Sequence, residues 1–422
     1  MNIRTLSTQI YQTILSGKLD SRFDTISDPQ ERAFAKKLIF TALRKQTFIK
    51  KVIGRYSSKQ LPQKLTIEQI ALILGATEIL YLNTPEYAVV STYVDIAKQL
   101  GNKYAGGFVN AVLRKICQDK DSIRQASNVP FFSKNFRRLL QNDYTTKQIA
   151  AIEKYAPLEP PLDITVKSNP EQWAQTLEAK LMPNNSVRLY SAGAVYTLEG
   201  YTDGAWWVQD FASSLAVKAL GNIQEKNVLD LCAAPGGKTA QLINAGAHVT
   251  AVDISENRLQ KLQENLNRLN FKAENIICSD AVTYLQNSNQ TFDVIMLDAP
   301  CSATGTLRRH PEIVHTKTID DVTQSVIVQK QILDVAASHI KKGGTLLYSV
   351  CSLAKAEGEK QIADFISAHN DFKIVSIPSS SLFGNYTVPE IITSEGFVRC
   401  LPSILGSEGG MDGFFIAKLQ RE

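Results

Sequence analysis

From about residue 225 onward, the chain alternates between apolar runs of strand length and helical segments, and this alternation constrains its fold most. One intervening segment, Glu256 to Asn270, carries leucines at helical spacing on one face. Because strands that alternate with helices build a parallel sheet covered on both faces, the pattern predicts a doubly wound, Rossmann-like α/β domain over residues 206–422. The predicted strands are Val228 to Cys232, Val249 to Asp253, Ile276 to Asp280, Val294 to Asp298 and Thr345 to Val350.

Residues 1–140 predict a helical domain instead. Apolar residues recur there at helical spacing, and an Asp28-Pro29 pair supplies a helix start. Packing such amphipathic helices against one another buries their apolar faces, so a bundle is expected. The segments with this pattern are Glu31 to Leu43, Ile67 to Leu82 and Gly106 to Lys115.

Residues 141–205 form a junction of different composition. Prolines cluster between Tyr155 and Pro161, which is typical of a linker. After them, Leu162 to Lys167 predicts a strand and Pro170 to Lys180 predicts a helix. We therefore predict a linker followed by a small α/β subdomain between the two larger domains.

Positive charge is concentrated in the helical part. Residues 1–140 contain 22 Lys and Arg against 10 Asp and Glu, a charge balance of +12. Residues 141–422 have a balance of −7, which leaves the whole chain with a net charge of +5. A basic region on a nearly neutral protein favours a nucleic-acid partner. The alternative is a basic surface that only keeps the protein in solution.

Cysteine and histidine usage argues against several other classes. The six cysteines lie far apart without paired spacing, and the five histidines are scattered, so we expect a reducing, cytoplasmic setting and no metal site. The N-terminus lacks the pattern of a signal peptide. No apolar stretch reaches the roughly 18 residues that a transmembrane helix needs, so we expect no membrane segment.

The first predicted strand of the sheet domain runs into a glycine turn. The turn, Cys232 to Thr239, ends in Gly-Lys-Thr like a phosphate-binding loop, but Cys232 stands where that loop needs glycine. Small residues before a helix N-terminus still admit a ligand closely and favour a carboxylate. Asp253 and Asp280, at the ends of the next two strands, are placed for a ribose and an adenine. Together these features indicate S-adenosylmethionine; the alternative is that the aspartates only cap helices.

Cys301 and Cys351 each follow a predicted strand. The carboxyl ends of the strands form the active-site crevice of a doubly wound sheet. Two thiols there suggest nucleophilic chemistry, whereas the alternative is that both are small buried hydrophobic residues.

The motifs around these residues resemble the family of S-adenosylmethionine-dependent RNA 5-methylcytosine methyltransferases. Ala303 and the Arg-His-Pro segment are similar to the branch that methylates bacterial 16S ribosomal RNA, and residues 1–140 resemble the NusB-like RNA-binding domain of that branch. The motifs are Val208-Gln209-Asp210, the loop from Cys232, Asp298-Ala299-Pro300-Cys301-Ser302-Ala303-Thr304-Gly305, Arg308 to Ile313, Tyr348 to Ser352 and Asp412-Gly413-Phe414-Phe415.

The resemblance implies methyl transfer to carbon 5 of a cytosine in small-subunit ribosomal RNA through a covalent cysteine adduct. Cys351 would be the nucleophile, Cys301 would assist elimination, and Asp298 would bind the cytosine. The reverse assignment, with Cys301 as nucleophile as in DNA cytosine methyltransferases, stays open. So do a transfer-RNA substrate and a non-catalytic role in RNA binding or ribosome assembly.

The resemblance also implies the binding partners. We expect 16S ribosomal RNA, unassembled or partly assembled, as the partner, no membrane, and a cytoplasmic monomer. The small α/β subdomain within residues 141–205 would bind RNA as well. The residues expected to bind S-adenosylmethionine are Cys232, Ala233, Ala234, Pro235, Gly236, Gly237, Lys238, Asp253, Asp280 and Asp298.

Several further side chains have two interpretations each. Lys238 would support the cofactor loop or the RNA backbone, or would be a solvated lysine on a helix face. His310 and His315 would bind RNA or stabilise their loop. Trp206 and Trp207 would pack between the domains, or would stack on a base.

Overall fold

The structure, a computed structural model, describes residues 2–17, 21–57, 61, 64–102, 104–126, 130–388 and 390–422. The chain forms two compact units. The first contains Met1–Arg138 and His310–Lys317, and the second contains Leu139–Arg309 and Thr318–Glu422. Among the described helices, none combines the length and apolar character needed to cross a membrane.

The first unit is helical, as predicted. The Asp28 side chain accepts a hydrogen bond from the Gln30 nitrogen at 2.7 Å, and Pro29 occupies the first helical position. The predicted start is therefore confirmed, although this helix continues to Tyr56. The helices are α1 (Ile3–Leu15), α2 (Pro29–Tyr56), α3 (Ile67–Thr77), α4 (Glu86–Leu100), α5 (Ala105–Gln118), α6 (Lys120–Gln125) and α7 (Lys134–Gln141), which crosses into the second unit.

A buried carboxylate ties three helical segments of the first unit together. Glu78 opens a π-helical turn, Glu78–Leu82, directly after α3 and is 0% exposed. Arg4 Nε and Nη2 each donate to it at 2.8 Å, and the Tyr93 hydroxyl donates at 2.7 Å. A buried charge is tolerated when it is paired and hydrogen-bonded, as it is here.

After the end of α7, the second unit continues with α8 (Thr146–Tyr155) and a small antiparallel sheet. The sheet has the order β2-β3-β1-β4, formed by β1 (Leu162–Val166), β2 (Lys180–Leu181), β3 (Val187–Leu189) and β4 (Trp206–Val208). The strand predicted from Leu162 to Lys167 is confirmed as β1. The predicted helix is shorter than expected, because α9 (Pro170–Thr176) stops before Glu178, whose φ of 48° is left-handed.

The main sheet confirms all five predicted strands. The order is β10-β12-β9-β8-β5-β6-β7, with β5 to β9 parallel and β12 antiparallel to β9 and β10. One boundary was wrong: β7 ends at Cys278, and Asp280 is the N-cap of the next helix. The strands are β5 (Asn227–Leu231), β6 (His248–Asp253), β7 (Asn275–Cys278), β8 (Phe292–Asp298), β9 (Ile340–Val350), β10 (Phe372–Ile374), β11 (Val398–Cys400) and β12 (Phe414–Arg421).

Helices cover both faces of this sheet. In β8, Val294 and Met296 belong to one hydrophobic cluster, whereas Ile295 and Leu297 belong to another. Successive side chains of a strand point to opposite faces, so both faces of β8 are buried. Besides α8 and α9, the helices of this unit are α10 (Phe211–Leu220), α11 (Gly237–Asn244), α12 (Glu256–Arg268), α13 (Ala281–Gln286), α15 (Ile319–Ser338), α16 (Glu359–Ala368) and α17 (Ser379–Phe383).

Residues 310–317, which follow the Cys301 motif in the chain, form part of the first unit and contain α14 (Ile313–Thr316). Ser133 Oγ donates to the Val314 carbonyl oxygen at 2.7 Å. His315 Nε2 lies 2.9 Å from the Leu43 carbonyl oxygen, and burial lowers the pKa of His315 to about 4. His315 is therefore a neutral donor that stabilises this segment, one of the two roles expected for it.

Candidate active site

The register of β8 and β9 brings the two cysteines together. Asp298 lies opposite Ser349 in the parallel pair. Cys301 follows shortly after Asp298, and Cys351 follows shortly after Ser349, so both thiols leave the sheet at the same edge. Their sulfurs are 3.3 Å apart, and both side chains are half-buried. The cysteines therefore form one pair rather than two separate core residues.

This proximity couples the ionisation of the two thiols. The hydrogen bond with the Cys351 sulfur, and then burial, raise the pKa of Cys301 well above the usual range of a thiol. Two sulfurs this close resist carrying two negative charges, so the pair keeps one proton after the first is lost. Two thiolates side by side are therefore disfavoured at this site.

The turn that carries Cys301 depends on an unusual backbone path. Ala303 has φ of 57°, in the left-handed region, and the Gly305 nitrogen donates to the Cys351 carbonyl oxygen at 2.9 Å. This last bond joins the two cysteine-bearing loops directly through their main chains.

Asp298 is held by donors from two elements. Lys238 Nζ lies 2.8 Å from Asp298 Oδ2, and Ser349 Oγ donates to Oδ1 at 2.9 Å. The Lys238 side chain is 11% exposed, and its nitrogen lies 5.0 Å from the centre of the Phe414 ring. The interpretation of Lys238 as a solvated lysine is therefore wrong. The carboxylate it holds is 32% exposed and can still receive a ligand.

The loop from Cys232 to Lys238 turns sharply at the end of β5. Cys232 has φ of 60°, and Gly236, with φ of 96°, caps α11. The Ala234 nitrogen donates to Asp253 Oδ2 at 3.1 Å, which fastens the loop to the end of β6. Burial raises the pKa of the Cys232 thiol to about 12, so this cysteine is not a candidate nucleophile.

Asp230 and Gly237 bear on what this loop can hold. Asp230 Oδ1 is buried without a hydrogen-bond partner in the part of the chain that the structure describes, while Oδ2 accepts from Thr239 Oγ1 at 2.6 Å. A Cβ added to Gly237 would meet its nearest neighbour, the Trp207 ring, only at 4.0 Å. A buried carboxylate oxygen without a partner can accept a hydrogen bond from a donor group of a ligand, and burial raises the pKa of Asp230 to about 7.

Asp253 and Asp280, the two residues predicted to bind the nucleoside part of the cofactor, differ in their surroundings. Asp253 is 2% exposed, and besides the Ala234 nitrogen it accepts from the Ser255 nitrogen at 3.0 Å. Asp280 Oδ1 accepts from the Thr283 nitrogen at 2.9 Å and from its hydroxyl at 3.0 Å. Asp280 therefore does cap a helix, as the alternative had it, through one carboxylate oxygen. Ile254, which follows Asp253, is 68% exposed and offers an apolar surface next to it in the chain.

The two tryptophans are buried, which leaves packing as their role and excludes base stacking. Trp206 is 0% exposed and Trp207 is 3% exposed, so neither can stack on a base. Trp206 Nε1 donates to the Glu199 carbonyl oxygen at 2.9 Å, and the Trp207 ring meets the Phe271 ring edge-on.

Three motif residues have contacts that the sequence did not reveal. Arg309 Nη2 lies 2.9 Å from Asp210, and Arg309 Nε lies 3.0 Å from Asp412. Each residue stands in a motif quoted above, but they are far apart in sequence. The sequence shows only the charges of these three residues. Which of them pair could be identified only from the folded chain.

Both units contain residues that match known protein families. Residues 1–118 match the NusB family, and residues 217–420 match the family described as 16S rRNA methyltransferase RsmB/F. The chain is 32% identical over 404 residues to the ribosomal RNA small subunit methyltransferase B of Serratia proteamaculans. The aligned residues cover 91% of this chain and 92% of that protein. The corresponding protein of Proteus mirabilis is 30% identical over 428 residues, covering 95% and 98%.

Solved structures agree on the fold. The crystal structure of PH0851 has a TM-score of 0.76 at 22% identity and covers 100% of this chain and 99% of its own. The structure of NSun6 from Pyrococcus horikoshii with SFG has a TM-score of 0.59 at 20% identity and covers 69% and 98%. At these identities the likeness concerns the fold alone.

Proposed function

The chain belongs to the RsmB/F family of 16S rRNA methyltransferases, and we propose that it methylates carbon 5 of a cytosine in small-subunit ribosomal RNA through a covalent cysteine adduct. As a member of this family it is an S-adenosylmethionine-dependent RNA methyltransferase, and the cofactor supplies the methyl group. The observation that carries the proposal is the 3.3 Å separation of the Cys301 and Cys351 sulfurs at the strand ends that also present Asp298.

The chemistry requires a nucleophile because carbon 5 of cytosine is a weak attacking atom. A thiolate that adds to carbon 6 makes carbon 5 enamine-like and able to take a methyl group. A base then takes the carbon 5 proton, the electrons of that bond re-form the carbon 5–carbon 6 double bond, and the enzyme sulfur leaves as a thiolate. Covalent catalysis thus divides one difficult step into easier ones.

We assign the nucleophile to Cys351 and the elimination step to Cys301. This division follows the resemblance of the two cysteine motifs, and the 3.3 Å separation of the sulfurs places Cys301 beside the attacking atom. A thiol beside the newly formed carbon–sulfur bond is well placed to help release the enzyme sulfur.

Asp298 orients the base in this proposal. Its carboxylate would accept from the cytosine amino group or from protonated ring nitrogen 3, which favours addition at carbon 6. Lys238 and Ser349 each donate to one of its oxygens and so fix its orientation. Such a held carboxylate needs little reorganisation when the base arrives.

The cofactor would be held by the glycine turn and the neighbouring strand ends. The small residues Ala233, Ala234, Gly236 and Gly237 allow close approach, and Asp230 offers its unused oxygen to the cofactor ammonium. Asp253 and Asp280 would bind the ribose and the adenine. Pro235 and the Cys232 main chain shape the turn.

The helical unit would supply RNA affinity, since residues 1–140 carry a balance of +12. Binding of this kind weakens as salt rises, because condensed counterions are released from the phosphates. We propose 16S ribosomal RNA, before or during subunit assembly, as the partner of a cytoplasmic monomer. A transfer-RNA substrate finds less support, because the NusB match and the ribosomal RNA relatives point the other way.

The proposal is tested by incubating the protein with a 16S ribosomal RNA transcript, transfer RNA and S-adenosylmethionine. Bisulfite sequencing should reveal one protected cytosine in the ribosomal transcript and none in transfer RNA. Methylation at another atom, which leaves cytosines open to bisulfite, would contradict carbon 5 as the target. Protection in transfer RNA alone would overturn the substrate assignment.

A further inference from the structure

A fully buried glutamate lies behind the cysteine pair. Glu357 ends a short 3-10 turn, Lys355–Glu357, and is 0% exposed. Its Oε1 accepts from the Ser302 nitrogen at 2.8 Å and from Gln329 Nε2 at 3.0 Å. Its Oε2 accepts from Ser302 Oγ at 2.5 Å and from Ser352 Oγ. All four donors are neutral, and both carboxylate oxygens are used twice.

These donors connect Glu357 to both cysteine-bearing loops. Ser302 directly follows Cys301, and Ser352 directly follows Cys351. Gln329, on α15, also donates to the carbonyl oxygen of Pro300, the residue before Cys301, at 2.9 Å. The same carboxylate therefore restrains the Cys301 loop from both sides and the Cys351 loop from one.

The cluster is closed by hydroxyl contacts between the two loops. Ser302 Oγ and Ser352 Oγ are 3.2 Å apart, and Thr304 Oγ1 lies 3.0 Å from Ser352 Oγ. Thr304 Oγ1 in turn accepts from the Leu353 nitrogen at 2.9 Å. These contacts join the two loops through their hydroxyl groups.

The physical chemistry argues that this carboxylate does more than fill space. A buried charge needs strong hydrogen bonds to offset its desolvation, and apolar residues of the same volume often stabilise a core equally well or better. Hydroxyl donors to a carboxylate are shorter and stronger than neutral pairs, and therefore hold geometry tightly. Compared with an apolar side chain at this place, the Glu357 carboxylate therefore gives the two loops a defined relative position.

We propose that Glu357 is a positioning residue that holds the sulfurs of Cys301 and Cys351 at their reactive separation. The inference rests on the proposed function, since it assigns the two thiols consecutive tasks on one base. Misplacement of a reacting group by about 1 Å can lower a rate by about a hundredfold. A carboxylate that fixes both loops would protect against a shift of that size.

The decisive measurement reads the sulfur separation without RNA or cofactor. Diamide takes two electrons and two protons from a pair of neighbouring thiols, so that a disulfide forms and the diamide becomes a hydrazine. Disulfide formation requires the sulfurs to close to about 2.05 Å and is sensitive to their relative placement. Its rate in the full chain, followed by peptide mass spectrometry of the Cys301–Cys351 link, therefore reports the geometry directly.

Glu357→Gln keeps the shape of the side chain but turns one acceptor into a donor. We expect it to slow diamide-driven formation of this disulfide at least about tenfold and single-turnover methyl transfer about a hundredfold, with cofactor affinity unchanged. Glu357→Asp, which keeps the charge but shortens the side chain, should fall between the wild type and Glu357→Gln. The matched control is Glu78→Gln, another buried carboxylate whose contacts lie in the first unit; it should leave the disulfide rate unchanged.

The outcomes separate this inference from the proposed function. A folded Glu357→Gln variant that forms the disulfide at the wild-type rate overturns the positioning role. A slowed disulfide supports it, even if the wild-type protein then leaves the 16S transcript unmethylated, a result that would refute the proposed function alone. Should Glu357→Gln fail to fold, Ser302→Ala tests the same contact, because it removes a hydroxyl donor and leaves the carboxylate; a wild-type disulfide rate in that variant overturns the inference.

Discussion

The main chains of Gly305 and Gly413 are in direct contact. The Gly413 nitrogen donates to the Gly305 carbonyl oxygen at 2.8 Å, and a Cβ on Gly305 would lie 2.0 Å from the Gly413 carbonyl oxygen. Gly413 immediately precedes β12, the antiparallel strand paired with β9. The turn after Cys301 is therefore supported by the C-terminal strand, which explains why the motif at residues 412–415 belongs with the active site.

This contact predicts opposite effects for two small substitutions in one turn. Gly305→Ala should destabilise the second unit by about 1–3 kcal/mol or more, because the neighbouring atom is backbone and has little freedom to move. Ala303→Gly should stabilise it by about 0.5–1 kcal/mol, because glycine relieves the left-handed φ of 57°. Urea unfolding followed by tryptophan fluorescence measures both, since all three tryptophans lie in the second unit. Equal stability of the two variants would contradict the argument.

The cysteine pair predicts separable phenotypes. Cys351→Ala should abolish turnover and any covalent RNA complex, because the attacking thiolate is gone. Cys301→Ala should abolish turnover too, but should still add to the base and then stall. Denaturing electrophoresis should show a protein–RNA adduct with Cys301→Ala only. An adduct with Cys351→Ala instead would reverse the assignment, and full activity of either variant would remove that thiol from the mechanism.

The Lys238–Asp298 ion pair predicts a loss of rate when the ammonium is removed. Lys238→Met keeps the apolar stem on the Phe414 ring but deletes the charged donor to Asp298. A charged hydrogen bond contributes about 1.5–3 kcal/mol, so kcat for methyl transfer should fall roughly tenfold to a hundredfold. Lys238→Arg, which restores a charge, should recover part of the rate. An unchanged kcat in Lys238→Met would show that Asp298 needs no such support.

Asp253 predicts a change in cofactor affinity. Asp253→Asn keeps the size of the side chain but removes the charge that would bind a ribose hydroxyl. Calorimetric titration with S-adenosylmethionine should give a Kd about tenfold to a hundredfold higher. Asp280→Ser is the companion test, because serine preserves the N-cap of α13 while deleting the carboxylate. Wild-type affinity in either folded variant excludes that carboxylate from the cofactor site.

His315 predicts an acid-sensitive stability. Burial lowers its pKa from the usual 6.5 to about 4, so the unfolded chain binds a proton that the folded chain resists. The neutral His315 therefore makes its full contribution to the free energy of unfolding above pH 6.5, and this contribution is lost as the pH falls towards 4. His315→Gln retains a donor for the Leu43 carbonyl oxygen but cannot titrate. Between pH 7 and 4.5 the wild type should lose about 1–3 kcal/mol more than the variant in urea unfolding followed by circular dichroism; parallel curves would contradict this.

Much of the architecture follows from local patterns in the sequence. The five apolar runs became β5 to β9, and the leucines of Glu256 to Asn270 became the buried face of α12. Such elements are predictable because the spacing of apolar residues reports directly which face of a strand or helix is buried. Asp253, Asp298, Cys301 and Cys351 could be placed at one edge of the sheet because parallel strands share their carboxyl end.

The pairing of distant elements was decided only by the tertiary structure. The antiparallel strand β12 enters between β9 and β10, and its eight residues carry no local mark of their neighbours. The burial of Glu357, the contacts of Arg309 and the place of residues 310–317 in the helical unit likewise depend on segments far away in the chain. The sequence by itself determined which residues could react. Only the packing of β8 against β9, together with the loops held by Gly305 and Glu357, determined that two thiols separated by fifty positions meet at 3.3 Å, because that distance depends on long-range register rather than on any local periodicity.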